Sequence, residues 1–203
     1  ETQKAAGHRE LQLFCQELAR TTNPLDFFTR RVDLEKYINY LAASALIQNW
    51  DGYNKNHFIV QDTGGSKKWF VLPWDLDRTF GDYWDWSFNK ADLPVLLGTR
   101  QSPGITGWNR MADRFFSEPI LRVRFFSRLE ELLEKEFTTE KLFPLLDRLE
   151  ADIGPEAGLD RRRWPSQTAD LHSGVVQVKH YIERRRSYLL NEVSRVRRNS
   201  PTP

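Results

Sequence analysis

The sequence predicts an α+β fold, mainly α, in which one β-hairpin follows a central helix. Three observations carry that prediction. Apolar residues recur at helical spacing through most of the chain, a switch to short β-prone runs occurs only between His57 and Leu72, and sustained periodicity lapses from Asp82 to Trp108. With 203 residues, 39% hydrophobic and 13% aromatic, the chain can bury one sizeable core and does not need two, so it reads as a single domain over 1–203.

Leu11, Phe14 and Leu18 mark a short amphipathic helix, and Asn23-Pro24 breaks it, closing an N-terminal helical segment over 1–31. Cys15, the only cysteine, lies between Phe14 and Leu18 and reads as a buried structural thiol. Asp33 can cap the next helix, where Leu34, Tyr37, Ile38, Leu41, Ala45 and Leu46 form one apolar face running to about Asn49. Ala42, Ala43 and Ser44 keep that helix thin, as a centrally packed helix requires. His57 to Gln61 and Trp69 to Leu72 then form strands, joined by Asp62, Thr63, Gly64, Gly65 and Ser66, which supply turn chemistry.

Pro94, Gly98, Pro103, Gly104 and Gly107 punctuate an irregular loop over 82–107. Helices resume over 108–198. Met111, Phe115 and Phe116 define one that ends near Pro119, and Leu121, Phe125, Leu129, Leu132 and Leu133 define another. Thr138 or Thr139 caps a third, with Leu142, Leu145, Leu146 and Leu149 and a bend at Pro144. A polar loop through Arg161, Arg162, Arg163 and Trp164 leads to a last helix from about Ser173 to Arg197, with Val175, Val178, Tyr181, Ile182, Tyr188, Leu189 and Val193 as its apolar stripe.

Thirty basic and 28 acidic residues give a net charge of +2, which argues against binding dominated by a nucleic-acid backbone. Arg184 to Arg186, Arg195, Arg197 and Arg198 are accordingly read as a solvated helix face or as partners of nearby acids. No run approaches the roughly 20 apolar residues of a membrane span. Four scattered histidines and one cysteine exclude a thiolate zinc cluster and offer no zinc spacing.

The chemistry-bearing region is 32–81. Asp51 ends the central helix, Asn56 follows five positions later, and Asp75 and Asp77 stand beyond the hairpin. Phosphoryl transfer from ATP needs a carboxylate to orient the acceptor hydroxyl and oxygen ligands for the cations that bridge the phosphates. Protein kinases supply these as an Asp, an Asn five residues on, and an Asp beyond a short hairpin. To serve one nucleotide, Asp51 and Asp75 must lie within about 15 Å of each other. If 75–77 is extended, Asp75 and Asp77 point the same way and can share a cation, Asn56 adding its amide oxygen. Each residue also has a plainer reading: Asp51 as a turn residue, Asn56 as a cap, Asp75 and Asp77 as surface acids paired with Arg78. Lys55 either touches a phosphate or is a solvated turn lysine. Trp74 and Phe80 read as core or hinge packing rather than adenine contacts, and His57 as structural.

The blocks Asn49-Trp50-Asp51-Gly52-Tyr53-Asn54-Lys55-Asn56 and Leu72-Pro73-Trp74-Asp75-Leu76-Asp77-Arg78-Thr79-Phe80-Gly81, with the run Val32 to Tyr40 before them, resemble the signature of the CotH (spore coat protein H) kinase family. That resemblance implies a protein-kinase-like C-terminal lobe and an atypical protein kinase using ATP with Mg or Mn on protein hydroxyls, coat or surface proteins among them. It implies Asp51 as catalytic base, Asn56 as a metal ligand and Asp75 as the counterpart of the metal-binding Asp beyond the hairpin; beside it, the residues themselves offer Lys55 and Asn56 at the nucleotide and Asp77 as a further metal ligand. Its setting would be spore coat, cell envelope or secreted. No Gly-rich phosphate loop precedes Val32 and Lys4 sits in no strand pattern, so an N-terminal lobe is expected upstream of Glu1 and this span is expected to be inactive alone. Trp84, Asp85 and Trp86 fall where a kinase positions its substrate. Two other functions compete: a catalytically dead kinase-like module used for binding or surface attachment, and a metal-dependent glycosyltransferase using Asp75 and Asp77.

Overall fold

The computed structural model describes residues 8–83, 90–100, 109–165 and 170–199. Seven helices and one antiparallel hairpin are described: α1 (Arg9–Arg20), α2 (Pro24–Arg31), α3 (Leu34–Ile47), β1 (His57–Gln61), β2 (Trp69–Pro73), α4 (Arg110–Ser117), α5 (Pro119–Lys135), α6 (Thr139–Arg163) and α7 (Leu171–Asn199). The mainly helical α+β class follows the periodicity. Trp84, Asp85 and Trp86, and the stretch containing Pro103, Gly104 and Gly107, lie outside the described residues.

Caps set most boundaries. The Asp33 carboxylate accepts from Lys36 N to start α3, Asn109 accepts from Ala112 N to start α4, and Thr138 accepts from Lys141 N to start α6. Pro24, read as a breaker, is instead the first residue of α2, because its missing N–H costs nothing at that position and Asn23 caps the helix by accepting from Asp26 N. Arg161, Arg162 and Arg163 form the last turn of α6 rather than a loop, where cations complement the carbonyl end of the helix dipole.

The core is an aromatic chain that joins α1, α2, α3, α4 and α5. Phe14 meets Phe27 and Trp69, Phe28 meets Tyr37 and Phe115, and Phe116 meets Phe125, at ring separations of 4.8–5.7 Å. Phe14 and Leu18, one turn apart, are the inward positions of α1. Cys15 is turned about 100° from Phe14 on that helix and is exposed, contrary to the buried thiol expected.

The hairpin is tied to this core at one end. Asp33 N donates to Trp69 O at 2.8 Å, and Trp69 and Val71 are buried against the helices. Strand register pairs His57 with Pro73 and Phe58 with Leu72, and Trp74 N donates to Asn56 O beyond the last pair. The hairpin therefore closes by bringing the segment after α3 beside the segment after β2.

Candidate active site

The central helix ends in a tight descent. Gln48 adopts a left-handed backbone (φ 55°), and the Asp51 carbonyl then accepts from Asn54, Lys55 and Asn56 backbone N–H groups. Gly52 fits here because Asn49 folds across it, Oδ1 accepting from Gly52 N at 3.1 Å. A Cβ at this position would lie 2.2 Å from Asn49 Nδ2. Tyr40 Oη donates to the Gly52 carbonyl at 3.0 Å, and His57 Nδ1 stands 2.7 Å from the same oxygen, an arrangement that requires the proton on Nδ1. His57 is thus structural, as expected. Gly52→Ala is expected to displace the buried Asn49 and cost about 1–3 kcal/mol. Urea unfolding checks this, and a loss under about 0.5 kcal/mol would mean that the turn yields freely.

Asp51 is 4% exposed. Asn56 Nδ2 donates to Asp51 Oδ2 at 2.8 Å and makes a longer 3.3 Å contact with Asp75 Oδ2. Two carboxylates that share one amide nitrogen are separated by less than the sum of those contacts, so the turn after α3 and the exit of β2 meet at one point. Lys55 Nζ reaches Asp51 Oδ2 at 3.3 Å from the solvent side, its own side chain 64% exposed. Asp51 Oδ1 is buried and has no hydrogen-bond partner among the described residues.

Three expectations change. Segment 75–77 is not extended: Asp75 has φ 56°, in the left-handed region that Asp tolerates better than most residues, and this breaks the alternation that would aim Asp75 and Asp77 together. Asp77 is exposed and takes no part in the hydrogen bonds joining Asp51, Asn56 and Asp75. Asn56 presents its amide nitrogen, not its oxygen, to the carboxylates, because two acceptors draw the donor end. Trp74 is 61% exposed and not core packing, whereas Phe80 packs edge-on against Tyr181 at 5.6 Å.

Arg185 is the residue the sequence reading missed. It is 1% exposed, and its guanidinium donates to Ala45 O (2.9 and 2.6 Å), Ala91 O (3.1 Å) and Leu93 O (2.7 Å). Burial lowers its pKa, yet the carbonyl end of α3 is where a cation is best placed. Tyr181 Oη adds a 2.8 Å bond to Leu46 O, Phe80 N donates to Ile47 O, and Gln48 Nε2 donates to Lys90 O. The helix end that delivers Asp51 is therefore held from behind by α7 and by the loop after the hairpin. The stripe Ile182, Arg185, Leu189 and Val193 contains the signal, since Arg185 sits at an inward position.

The family model described as CotH kinase protein matches residues 1–189. The chain belongs to the CotH kinase protein family. Within that family, it is 25% identical over 199 residues to inner spore coat protein H of Bacillus subtilis (strain 168), covering 95% of this chain and 52% of that protein. It is 24% identical over 140 residues to invasin CotH2 of Rhizopus delemar, covering 66% of this chain and 23% of that protein. Invasin CotH3 of the same fungus is 32% identical over 57 residues, covering 27% of this chain and 10% of that protein. The chain thus spans about half the length of the Bacillus relative and less of the fungal ones. No described helix is long and apolar enough to cross a membrane.

Proposed function

We propose that this chain carries the base and metal-binding half of an atypical, protein-kinase-like phosphotransferase that moves a phosphoryl group from ATP, with Mg or Mn, to protein hydroxyls. The observation that carries the reading is the meeting of Asp51, Asn56 and Asp75 at one point, with a buried Asp51 oxygen that no group among the described residues satisfies. An unpartnered buried carboxylate oxygen is costly, and its presence fits a ligand or acceptor that completes it. Among the described residues no three His, Cys, Asp or Glu side chains form a closed metal cage. Magnesium rarely uses such a cage: it keeps waters and takes one or two carboxylates plus substrate phosphates, so two carboxylates and an amide fit it.

In this reading Asp75, exposed at the end of β2, is the main cation ligand. Asn56 joins it by turning its amide over, which exchanges nitrogen for oxygen without moving the backbone. Asp77, outside the hydrogen bonds that join Asp51, Asn56 and Asp75, would not hold the cation directly. The cation, when bound, neutralises the phosphate charge that builds up during transfer. Asp51 orients the acceptor hydroxyl and takes its proton. Lys55, now paired with Asp51 and largely solvated, swings to a phosphate oxygen and so uncovers the carboxylate. Transfer is proposed for the whole protein rather than for this span, because the chain spans about half the length of the Bacillus relative. Spore coat or other surface proteins are the acceptors proposed, in line with the names of the relatives.

A module used only for binding has no need of an unsatisfied acid beside a second carboxylate, and a glycosyltransferase reading lacks support from a parallel sheet, since the described sheet is one antiparallel hairpin. Calorimetric titration of the chain with ATP tests the proposal. Binding is expected with Mg or Mn and should weaken at least tenfold in a chelator. Equal binding with and without the cation, or none at all, would reject it.

A further inference from the structure

α6 is 25 residues long and none of them is buried. Its inner side rests on the core and on α7: Phe143 and Leu146 pack against the core, Asp147 pairs with Lys179, and Glu150 pairs with His172 at 2.8 Å. At about 100° per residue, Leu145, Leu149 and Ile153 wind slowly along a neighbouring face, each turned about 40° from the last. They are 39%, 45% and 49% exposed, so an apolar stripe of more than two turns stands open to solvent.

This helix is also a poor one by composition. Pro144 and Pro155 lie inside it, each without a backbone N–H to give to the preceding turn, and Gly154 and Gly158 add backbone freedom. A helix of weak intrinsic propensity draws its stability from burying its apolar face, and here that face is only half covered. Lys141, Arg148, Asp152 and Glu156 border the stripe on the flank turned away from α7. Arg148, Asp152 and Glu156 have no ion-pair partner among the described residues, and Lys141 pairs with Glu136 just before the helix.

We propose that α6 pairs with α6 of a second copy of this chain, antiparallel, about a two-fold axis at Leu149; the inference is independent of the phosphotransferase reading. That axis sets Leu149 against the partner subunit's Leu149 and Leu145 against the partner subunit's Ile153, which closes the stripe on itself. It also keeps the charged flanks of the two helices on the same side. At 1.5 Å per residue from the axis, Arg148 lies within about 3 Å, along the helix, of the partner subunit's Asp152, and Lys141 within about 1.5 Å of the partner subunit's Glu156. A parallel pair would instead oppose Arg148 to the partner subunit's Arg148 and Glu156 to the partner subunit's Glu156. Charge therefore selects the antiparallel arrangement, and α6 is its own complement. From Thr139 to Leu159 the pair is about 30 Å long, and half the girth of each helix covers roughly 500 Å², or about 1,000 Å² in all, the lower limit for a specific interface. The dimer is accordingly weak, with a dissociation constant on the order of 10 µM.

Sedimentation velocity of the 203-residue chain, over roughly 1 to 300 µM, tests the pairing. The average mass is expected to rise from one chain to two across that range. Leu149→Glu, which sets two carboxylates together at the axis, should weaken the dimer at least tenfold. Arg148→Asp and Asp152→Arg should each weaken it about threefold or more, and the double variant, which restores the pairs in the reverse sense, should return to within about twofold of the unaltered chain. Leu149→Cys in a Cys15→Ser background should form a disulfide with its own copy on mild oxidation, because the axis brings the two positions face to face. These side chains are exposed, so circular dichroism should show every variant folded. A chain that stays monomeric over the whole range overturns the proposal, and that is the result expected if the stripe receives a different protein. A dimer of unchanged affinity in Leu149→Glu also overturns it, since another face would then hold the copies together. Failure of the double variant to regain affinity overturns the antiparallel register.

Discussion

In the whole protein, where transfer is proposed, Asp51→Asn is expected to leave Mg-dependent ATP affinity within about twofold while phosphate transfer falls by about a hundredfold or more, the scale of losing a general base. Asp75→Asn is expected to lower Mg-dependent ATP affinity at least tenfold and to lower transfer with it. The contrast follows from position. Asp51 is buried behind Lys55 and Asn56, whereas Asp75 is exposed at the exit of β2. Asparagine suits the second substitution because it tolerates the left-handed backbone of Asp75 (φ 56°), so the change isolates charge from conformation. Calorimetry alongside transfer to a protein acceptor separates the two effects. Equal, small changes from both substitutions would reject the assigned roles and favour a binding module.

Arg185→Met is expected to destabilise the chain by about 3 kcal/mol or more, because it removes the guanidinium donors to the Ala45, Ala91 and Leu93 carbonyls while keeping an apolar side chain of similar length. Arg185→Lys should cost less, since it keeps the charge at the end of α3 but cannot fork to three carbonyls. Urea unfolding with an unchanged slope measures the loss. A loss below about 1 kcal/mol for Arg185→Met would show that water replaces the guanidinium and that the clamp is unimportant.

Much of the fold was legible because local and tertiary signals agree. Asp33 caps the helix it precedes, the apolar face of α3 is the buried one, and the β-prone runs around Asp62 to Ser66 pair in the hairpin predicted. The meeting of Asp51, Asn56 and Asp75 was readable from their order, since a hairpin returns the chain to its starting point.

What escaped the sequence were choices made by packing. Pro24 reads as a stop or a start depending on whether a cap stands before it. Arg185 reads as solvated by residue type, and only the convergence of the Ala45, Ala91 and Leu93 carbonyls makes its burial tolerable. Trp74 reads as core by residue type, yet the hairpin's inner face was already filled by Trp69 and Val71. The direction of Asp75 depends on a left-handed residue that no periodicity announces.

The Arg185 clamp also sets an order of events during synthesis. It joins residues 140 positions apart, so the turn carrying Asp51 leaves the ribosome long before the side chain that steadies the helix behind it. Chains grow by about 5–20 residues per second, and contacts so distant in sequence form late because the intervening loop must close first. For several seconds the nascent chain holds Asp51, Asn56 and Asp75 without the support that fixes the end of α3. A product cut short before Arg185 would keep every residue assigned to chemistry and still lack a settled site, so its release would add no competent copy to the cell.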